Sequence, residues 1–274
     1  MRRTKVLFWN TNKNSDINRI LGDIITENQI TIAVLAEYTA NLDELFSYLN
    51  DKNVHMKEYK TIGCDRITII GFENNVIAGR QTDYASFQII NNSNILCCVH
   101  LPSKIYTNSE GMRDIIIDAI IADIISTEKQ LRTEDTIVVG DFNINPYDFG
   151  CLDASKFHGL PIYEEAKKER RIIAGKEHKM FYNPMWNFFG DMQKPYGTYY
   201  YSGNKTNNPF WQIYDQVFIR PSLRNRFVDS SLKIITETEM NYLLNRNGHP
   251  DKRISDHLPI VFEIQKEDYY GKET

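Results

Sequence analysis

Ile254-Ser255-Asp256-His257-Leu258-Pro259-Ile260-Val261 sets an acid and an imidazole directly before an apolar run. Far upstream, Val138-Val139-Gly140-Asp141-Phe142-Asn143 sets an acid and an amide directly after one. Short apolar runs bounded by polar residues read as buried β-strands. Each stretch therefore offers carboxylate, amide or imidazole groups at the edge of a buried sheet, the setting in which a hydrolytic metal site is built.

Working outward, the pattern predicts strands over 5–9, 30–36, 56–61, 66–72, 84–90, 94–100, 136–139, 216–219, 232–235 and 258–264. Asn91-Asn92-Ser93 reads as a turn joining two of them into a hairpin. A first helix, capped by Asn14 or Ser15, runs to about Glu27 with Ile17, Ile20, Leu21, Ile24 and Ile25 on its buried face. A second covers 42–49. The longest runs from Ser109 to about Lys129 and carries Ile115, Ile116, Ile120, Ile121, Ile124 and Ile125. Many strands and few long helices, without strict βαβ alternation, predict an α/β chain of mixed sheets with helices outside.

The 274 residues, 42% apolar and 25% charged, are those of an ordinary globule, expected as one domain over 1–274. A formal net charge of −4 argues against coating nucleic acid by bulk charge but leaves room for a local basic groove. Cys64, Cys97, Cys98 and Cys151 form no C-x-x-C pair and read as buried free thiols of a reducing compartment. The apolar run after Arg2, Arg3 and Lys5 is too short for a signal peptide, and no segment reaches membrane-spanning length without charge. A cytoplasmic location is expected. The stretch 157–211 is irregular: mixed charge comes first, then many aromatics, among them Trp186. The polar tail over 265–274 is expected to fray.

Polar residues with ligand chemistry recur at strand ends: Asn10, Glu37, His100, Asp141 with Asn143, and Asp256 with His257, while Asp215 starts a strand. Strand ends on one edge converge on one crevice. A hard divalent cation needs one or two carboxylates, for which Glu37 and Asp256 lead. Neighbours on an extended segment point opposite ways, so Asp256 faces the metal and His257 the scissile phosphate. Asp215, beginning a strand expected to lie beside the Asp256 segment, orients that imidazole. Asp141 aligns or deprotonates the attacking water, and Asn143 and Asn10 hold phosphate oxygens or the metal. His100 protonates the leaving oxygen or stabilises equatorial charge.

Val6-Leu7-Phe8-Trp9-Asn10, Leu35-Ala36-Glu37, Val99-His100-Leu101-Pro102, Gly140-Asp141-Phe142-Asn143, Tyr214-Asp215-Gln216 and Ser255-Asp256-His257-Leu258-Pro259 follow one another in this order. The ordered set resembles the endonuclease/exonuclease/phosphatase superfamily, the DNase-I-like fold. The resemblance implies a four-layer α/β sandwich of two packed, mostly antiparallel or mixed sheets flanked by helices, with Mg²⁺ or Mn²⁺ at one end. It implies Asn10, Glu37 and Asp256 at the metal, Asp141 and Asn143 beside the nucleophile, and an Asp215–His257 dyad at the phosphate. His100 matches a second histidine of the DNase and sphingomyelinase branches and tells against the abasic-site repair branch.

Arg66 is the candidate for a phosphate-contacting residue that many members carry between the positions of Glu37 and His100. Trp186 and Arg220 are further candidate substrate contacts. The aromatic segment is either core filling or a stacking platform for bases or a rim for a lipid head group. Arg220, Arg224 and Arg226 either track phosphates or serve structure, and Lys167, Lys168, Arg170 and Arg171 read as a solvated helix face. His55, His158, His178 and His249 read as packed or solvated. The expected activity is Mg²⁺-dependent phosphodiester hydrolysis, with DNA or RNA as substrate. The alternative is a phosphoesterase on small or lipid substrates. A non-catalytic binding protein on this fold is disfavoured because every site position is intact.

Overall fold

The computed structural model describes residues 3–72, 76–91, 93–103, 110–204 and 206–266. Asn92 of the expected turn, Ser109 and the tail beyond 266 lie outside them. The first half runs β1 (Arg3–Asn10), α1 (Asn18–Glu27), β2 (Ile32–Ala36), α2 (Leu42–Asp51), β3 (Lys57–Tyr59) and β4 (Ile67–Gly71). β5 (Val76–Thr82), β6 (Ala85–Ile90), β7 (Asn94–His100), α3 (Glu110–Leu131) and β8 (Thr136–Asp141) follow. Then come short elements: β9 (Gly159–Leu160), β10 (Arg170–Ile173), β11 (Lys176–Lys179), β12 (Phe181–Tyr182), β13 (Tyr199–Tyr200) and β14 (Trp211–Gln212). β15 (Asp215–Ile219), β16 (Lys233–Ile234) and β17 (Ile260–Gln265) close the chain's sheets.

One sheet has the order β16-β17-β1-β2-β4-β3 and the other β5-β6-β7-β8-β15-β12-β9. Every residue of β2 and β8 is buried, as strands covered on both faces require. Leu21, Ile24, Leu45 and Leu49 of α1 and α2 pack with the first sheet, and Ile117, Ile120 and Ile124 of α3 pack with the second. The result is the expected four-layer α/β sandwich. In β7, Leu96 and Cys98 join the core between the sheets while Ile95, Cys97 and Val99 face α3. This period of two sends the neighbouring thiols to opposite faces, where burial raises both above the ordinary thiol value. No helix among the described residues is long and apolar enough to cross a membrane.

Several local expectations change. Asn14 does not cap α1; its amide donates to the carbonyls of Arg253 and Ile254 at 3.2 and 2.9 Å, tying the first loop to the last. α3 leaves Ile115 and Ile125 64% and 46% exposed, because the 100° step per residue carries them off the stripe of Ile116, Ile120 and Ile124. The charged run 167–171 is not a helix face. Only Tyr163–Ala166 makes a helical turn, and positive φ at Ala174 and Gly175 (50° and 76°) folds β10 against β11 as an exposed hairpin. β5 escapes a sequence reading because it is an edge strand interrupted by a bulge between Ala78 and Gln81, so it shows no alternation of apolar and polar residues.

Candidate active site

Strand direction brings the polar strand ends to one edge. β1 and β2 run parallel, with Asn10 opposite Ala36, so Glu37 follows beside Asn10. β17 runs antiparallel to β1, so the residues just before its start, Asp256 and His257, reach the same edge. In the second sheet His100 and Asp141 pair in register on parallel β7 and β8. Antiparallel β15 sets Asp215 opposite Asp141. The two edges face each other as three matched pairs. Glu37 Oε1 lies 3.5 Å from His100 Nε2, Asn10 Nδ2 donates to Asp141 Oδ2 at 3.0 Å, and His257 Nδ1 meets Asp215 Oδ2 at 2.8 Å. Asp215 thus reaches His257 from the opposite sheet, not from a neighbouring strand as expected from the sequence.

Local backbone chemistry holds these groups. A Cβ added to Gly140 would lie 1.9 Å from the Val99 carbonyl oxygen, so the glycine before Asp141 permits the close approach of β7 and β8. Glu37 and Asn143 hold left-handed φ of 51° and 52°, a region that costs a long side chain and turns it away from the strand's alternation. Asn143 donates its backbone N–H to Asp141 Oδ1 at 2.8 Å and its amide to Asp141 Oδ2 and Leu101 O at 3.1 and 2.9 Å. The Ser255 hydroxyl donates to Asn10 O at 2.7 Å and accepts from His257 N at 3.1 Å. Trp9 Nε1 donates to His257 O at 2.9 Å. The serine of Ser-Asp-His is therefore a strut between β1 and the histidine loop.

Asp141 Oδ2 is the hub, 3.8 Å from both His100 Nε2 and His257 Nε2. Burial raises the Asp141 carboxyl above its ordinary value, and the charge of Asp215 adds to this against the opposing imidazoles and the Asn10 bond. Burial pulls the His257 imidazole down, but the charge of Asp215, that of Asp141, the Asp215 bond and Asp256 outweigh it and raise it to about 10. Burial lowers His100, with Arg66 and His257 acting in the same direction against Asp141. One histidine is thus held protonated and the other neutral. Asp215 Oδ1 and His100 Nδ1 are buried without a hydrogen-bond partner among the described residues.

Asp256 is half-buried at the mouth, where its charge acts on His257 and Tyr199. Among the described residues, Glu37, Asp141 and Asp215 form ion pairs only with the two imidazoles. Uncompensated acids and the oxygen donors of Glu37, Asp256 and Asn10 fit a hard divalent cation. Asp141, Asp215 and His257 also bring ligand atoms within 4.8 Å of one another.

Arg66 borders this edge, its guanidinium 4.6 Å from the Tyr84 ring centroid and its charge acting on His100. An aromatic flank rises on the other side: Tyr199 lies 4.8 Å from the His257 ring and stacks on Tyr214 at 5.2 Å and 25°. Trp186 packs beyond, 6.5 Å from Tyr147 and 5.7 Å from Phe189. The structure does not bring Arg220 to the site. It follows the far end of β15, is 3% exposed, binds Glu128 at 2.8 Å and lies 3.8 Å over the Phe181 ring. Arg224 and Arg226 pair with Asp229 and Asp135 at the same far end. Arg113 carries no motif in the sequence, and Tyr199 and Tyr214 stand there only as members of the aromatic segment and of Tyr214-Asp215-Gln216. Arg113 is buried in α3 and donates Nε and Nη2 to Pro102 O at 3.2 and 2.7 Å, fixing the segment after His100. Only its place shortly after the His-Leu-Pro segment could have signalled it.

No protein-family model matches the chain, nor does any curated protein. Solved structures do. The 3′ phosphatase NExo from Neisseria, bound to a product DNA hairpin, is similar over 96% of this chain and 99% of that one, with 15% identity and a TM-score of 0.55. An AP endonuclease from Archaeoglobus fulgidus is similar over 94% and 98%, with 13% identity and a TM-score of 0.56. An endonuclease/exonuclease/phosphatase family protein from Bacteroides thetaiotaomicron is similar over 97% and 98%, with 11% identity and a TM-score of 0.56. The chain shares the fold of these structures, a DNase-I-like α/β sandwich.

Proposed function

We propose that this chain is a phosphodiesterase dependent on Mg²⁺ or Mn²⁺ that hydrolyses DNA or RNA. The observation that carries the reading is the one-to-one facing of Glu37 with His100, Asn10 with Asp141 and His257 with Asp215 across two sheets. A structural role would not call for carboxylates that outnumber their cations at an open edge. The solved structures of this fold include proteins bound to a DNA hairpin product and to a single-stranded DNA product, which supports nucleic acid as the substrate class.

Glu37 and Asp256, with Asn10 between them, are the residues to hold the metal. His257 Nδ1 and Asp215 Oδ2 engage each other, which leaves the oxygens of Glu37 and Asp256 for the cation. A bound divalent ion supplies charge neutralisation at the phosphate and eases expulsion of the leaving oxygen. Asp141, with its carboxylate fixed by Asn10 and Asn143, orients the attacking water and takes up its proton. His257, whose Nδ1 is engaged by Asp215, presents Nε2–H to a non-bridging phosphate oxygen and stabilises the charge that develops there. His100, held neutral beside Glu37 and Asp141, offers an Nε2–H hydrogen bond to the leaving oxygen and not a proton. Arg66, whose charge acts on His100, is the candidate cation for a further phosphate contact.

Labelled single- and double-stranded DNA and RNA, a small chromogenic diester and phospholipids are incubated with Mg²⁺ or with EDTA. Cleavage of a nucleic acid only in the presence of metal is expected. Turnover confined to lipid or small phosphoesters would transfer the site to that substrate class, and no metal-dependent cleavage at all would remove the proposal.

A further inference from the structure

The hairpin of β13 and β14 has two aromatic faces, and the catalytic edge uses one. Tyr199 bridges to His257 through the backbone and Leu258 N donates to Thr198 O at 2.8 Å, so this hairpin is built onto the histidine loop. Its next residue, Tyr200, points to the opposite face, as alternation along a strand requires. There the His249 and Tyr200 rings stack at 3.5 Å and 9°, and Phe210 continues the row at 6.5 Å and 21° from Tyr200. Trp211 braces this row edge-on, 5.4 Å from Tyr200 and 5.9 Å from His249.

The row ends in solvent. Phe210 is 52% exposed and adopts φ 66°, a left-handed conformation that bulky side chains avoid. Core filling explains neither property. The hairpin is held rigid by a buried amide relay: Asn145 donates to Gln212 Oε1 at 2.6 Å, and Gln212 Nε2 donates to Asn208 Oδ1 at 3.1 Å. Asn145 follows the Gly140-Asp141-Phe142-Asn143 loop, so the relay ties the row to the catalytic edge as well.

Two exposed cations lie on the loops that border the row. Lys194 lies 5.9 Å from the Tyr196 ring centroid, and Tyr196 packs on Trp211 at 6.1 Å. Arg246 is exposed in the loop that carries His249. No ion pair holds Lys194 or Arg246 among the described residues. Parallel aromatic planes beside unpaired cations are the arrangement by which proteins take unpaired bases and their phosphates without reading sequence.

We infer that the outer face of this hairpin, ending at Phe210, is a stacking platform for unpaired bases of a single-stranded nucleic acid flanking the scissile phosphate. The inference rests on the phosphodiesterase reading of the edge for its biological sense, and it makes the substrate single-stranded at that flank. Duplex DNA keeps its base faces covered and has no plane to offer Phe210.

Binding without turnover tests it. Fluorescence anisotropy of the full chain in EDTA compares a labelled oligoadenylate with a strand of the same phosphate count made of abasic spacers. The parent is expected to bind the base-bearing strand about tenfold more tightly, the effect of one good base stack. Phe210→Ala and Phe210→Leu are expected to abolish that ratio, and Phe210→Trp to keep it, with melting curves checking that each variant is folded. A parent ratio near one overturns the inference. So does a ratio that Phe210→Ala and Phe210→Leu both retain, or a loss of binding to both strands together. Hydrolysis does not enter the assay, so failure of the phosphodiesterase reading would show only in the metal-dependent screen.

Discussion

The two ends of the sandwich both bury charge at strand termini, and they treat it in opposite ways. At the far end, Glu128 is almost fully buried and accepts from Arg220, Lys179 and Thr136 at 2.8, 3.1 and 2.8 Å. Arg220 also donates to Met180 O at 3.0 Å. At the proposed catalytic edge the acids outnumber the cations and Asp215 Oδ1 has no partner among the described residues, while burial holds Asp141 above the ordinary carboxylate value. A closed ion cluster fastens strands, whereas an open, uncompensated one is poised for a ligand.

The largest effect expected from that contrast is on rate. His257→Ala and Asp141→Asn should each lower metal-dependent turnover by about 10²–10⁴-fold or more. By differential scanning both variants should remain folded at the assay temperature, His257→Ala with a lowered Tm because it leaves the buried Asp215 without its imidazole. A fall in Tm large enough to account for the lost rate would make these residues structural.

Next in size is stability at the far end. Arg220→Met leaves Glu128 with Lys179 as its remaining cation and should cost about 1.5–3 kcal/mol in denaturant unfolding. Asp141→Asn in the metal-free protein should cost less, because the loss of hydrogen bonds from Asn10 and Asn143 is offset by removal of a carboxylate that burial disfavours. An equal or larger cost for Asp141→Asn would erase the distinction between the two ends.

Gly140→Ala comes third. The added Cβ meets backbone rather than a movable side chain, so about 1–3 kcal/mol should be lost. Because β7 and β8 would be pushed apart at His100 and Asp141, rate should fall more than stability.

The two histidines should also differ in their pH dependence. The folded state raises His257 to about 10, so its contribution to stability is full below the unfolded value near 6.5 and is lost as pH rises through about 10. Imidazole NMR titration of the metal-free protein should show His257 protonated well above neutrality and His100 titrating below its ordinary range. The reverse order would exchange their roles.

Much of the catalytic edge was legible because each member ends or begins an apolar run, a pattern visible at single-residue scale. The facing of the two edges was not, since it depends on how one sheet lies against the other. That is why Asp215 was expected beside the Asp256 segment and lies across from it. Arg220 was misread for a related reason: its partner Glu128 is 92 residues away on α3, so in the sequence its charge seems free. The aromatic segment resisted because β12, β13 and β14 are two residues each and too short to show a period. Its two faces emerge only once Tyr199 is seen bridging to His257.

The central claim is that the acidic edge holds a divalent cation for phosphodiester cleavage. Cleavage of a single-stranded oligonucleotide, followed over a Mg²⁺ titration for the parent, Glu37→Gln and His257→Ala, addresses it most directly. The account predicts no cleavage in EDTA and saturable activation of the parent. It predicts that Glu37→Gln needs markedly more Mg²⁺, and that His257→Ala is not rescued at any concentration. Cleavage that survives EDTA, or a Glu37→Gln titration that overlays the parent's, would contradict it.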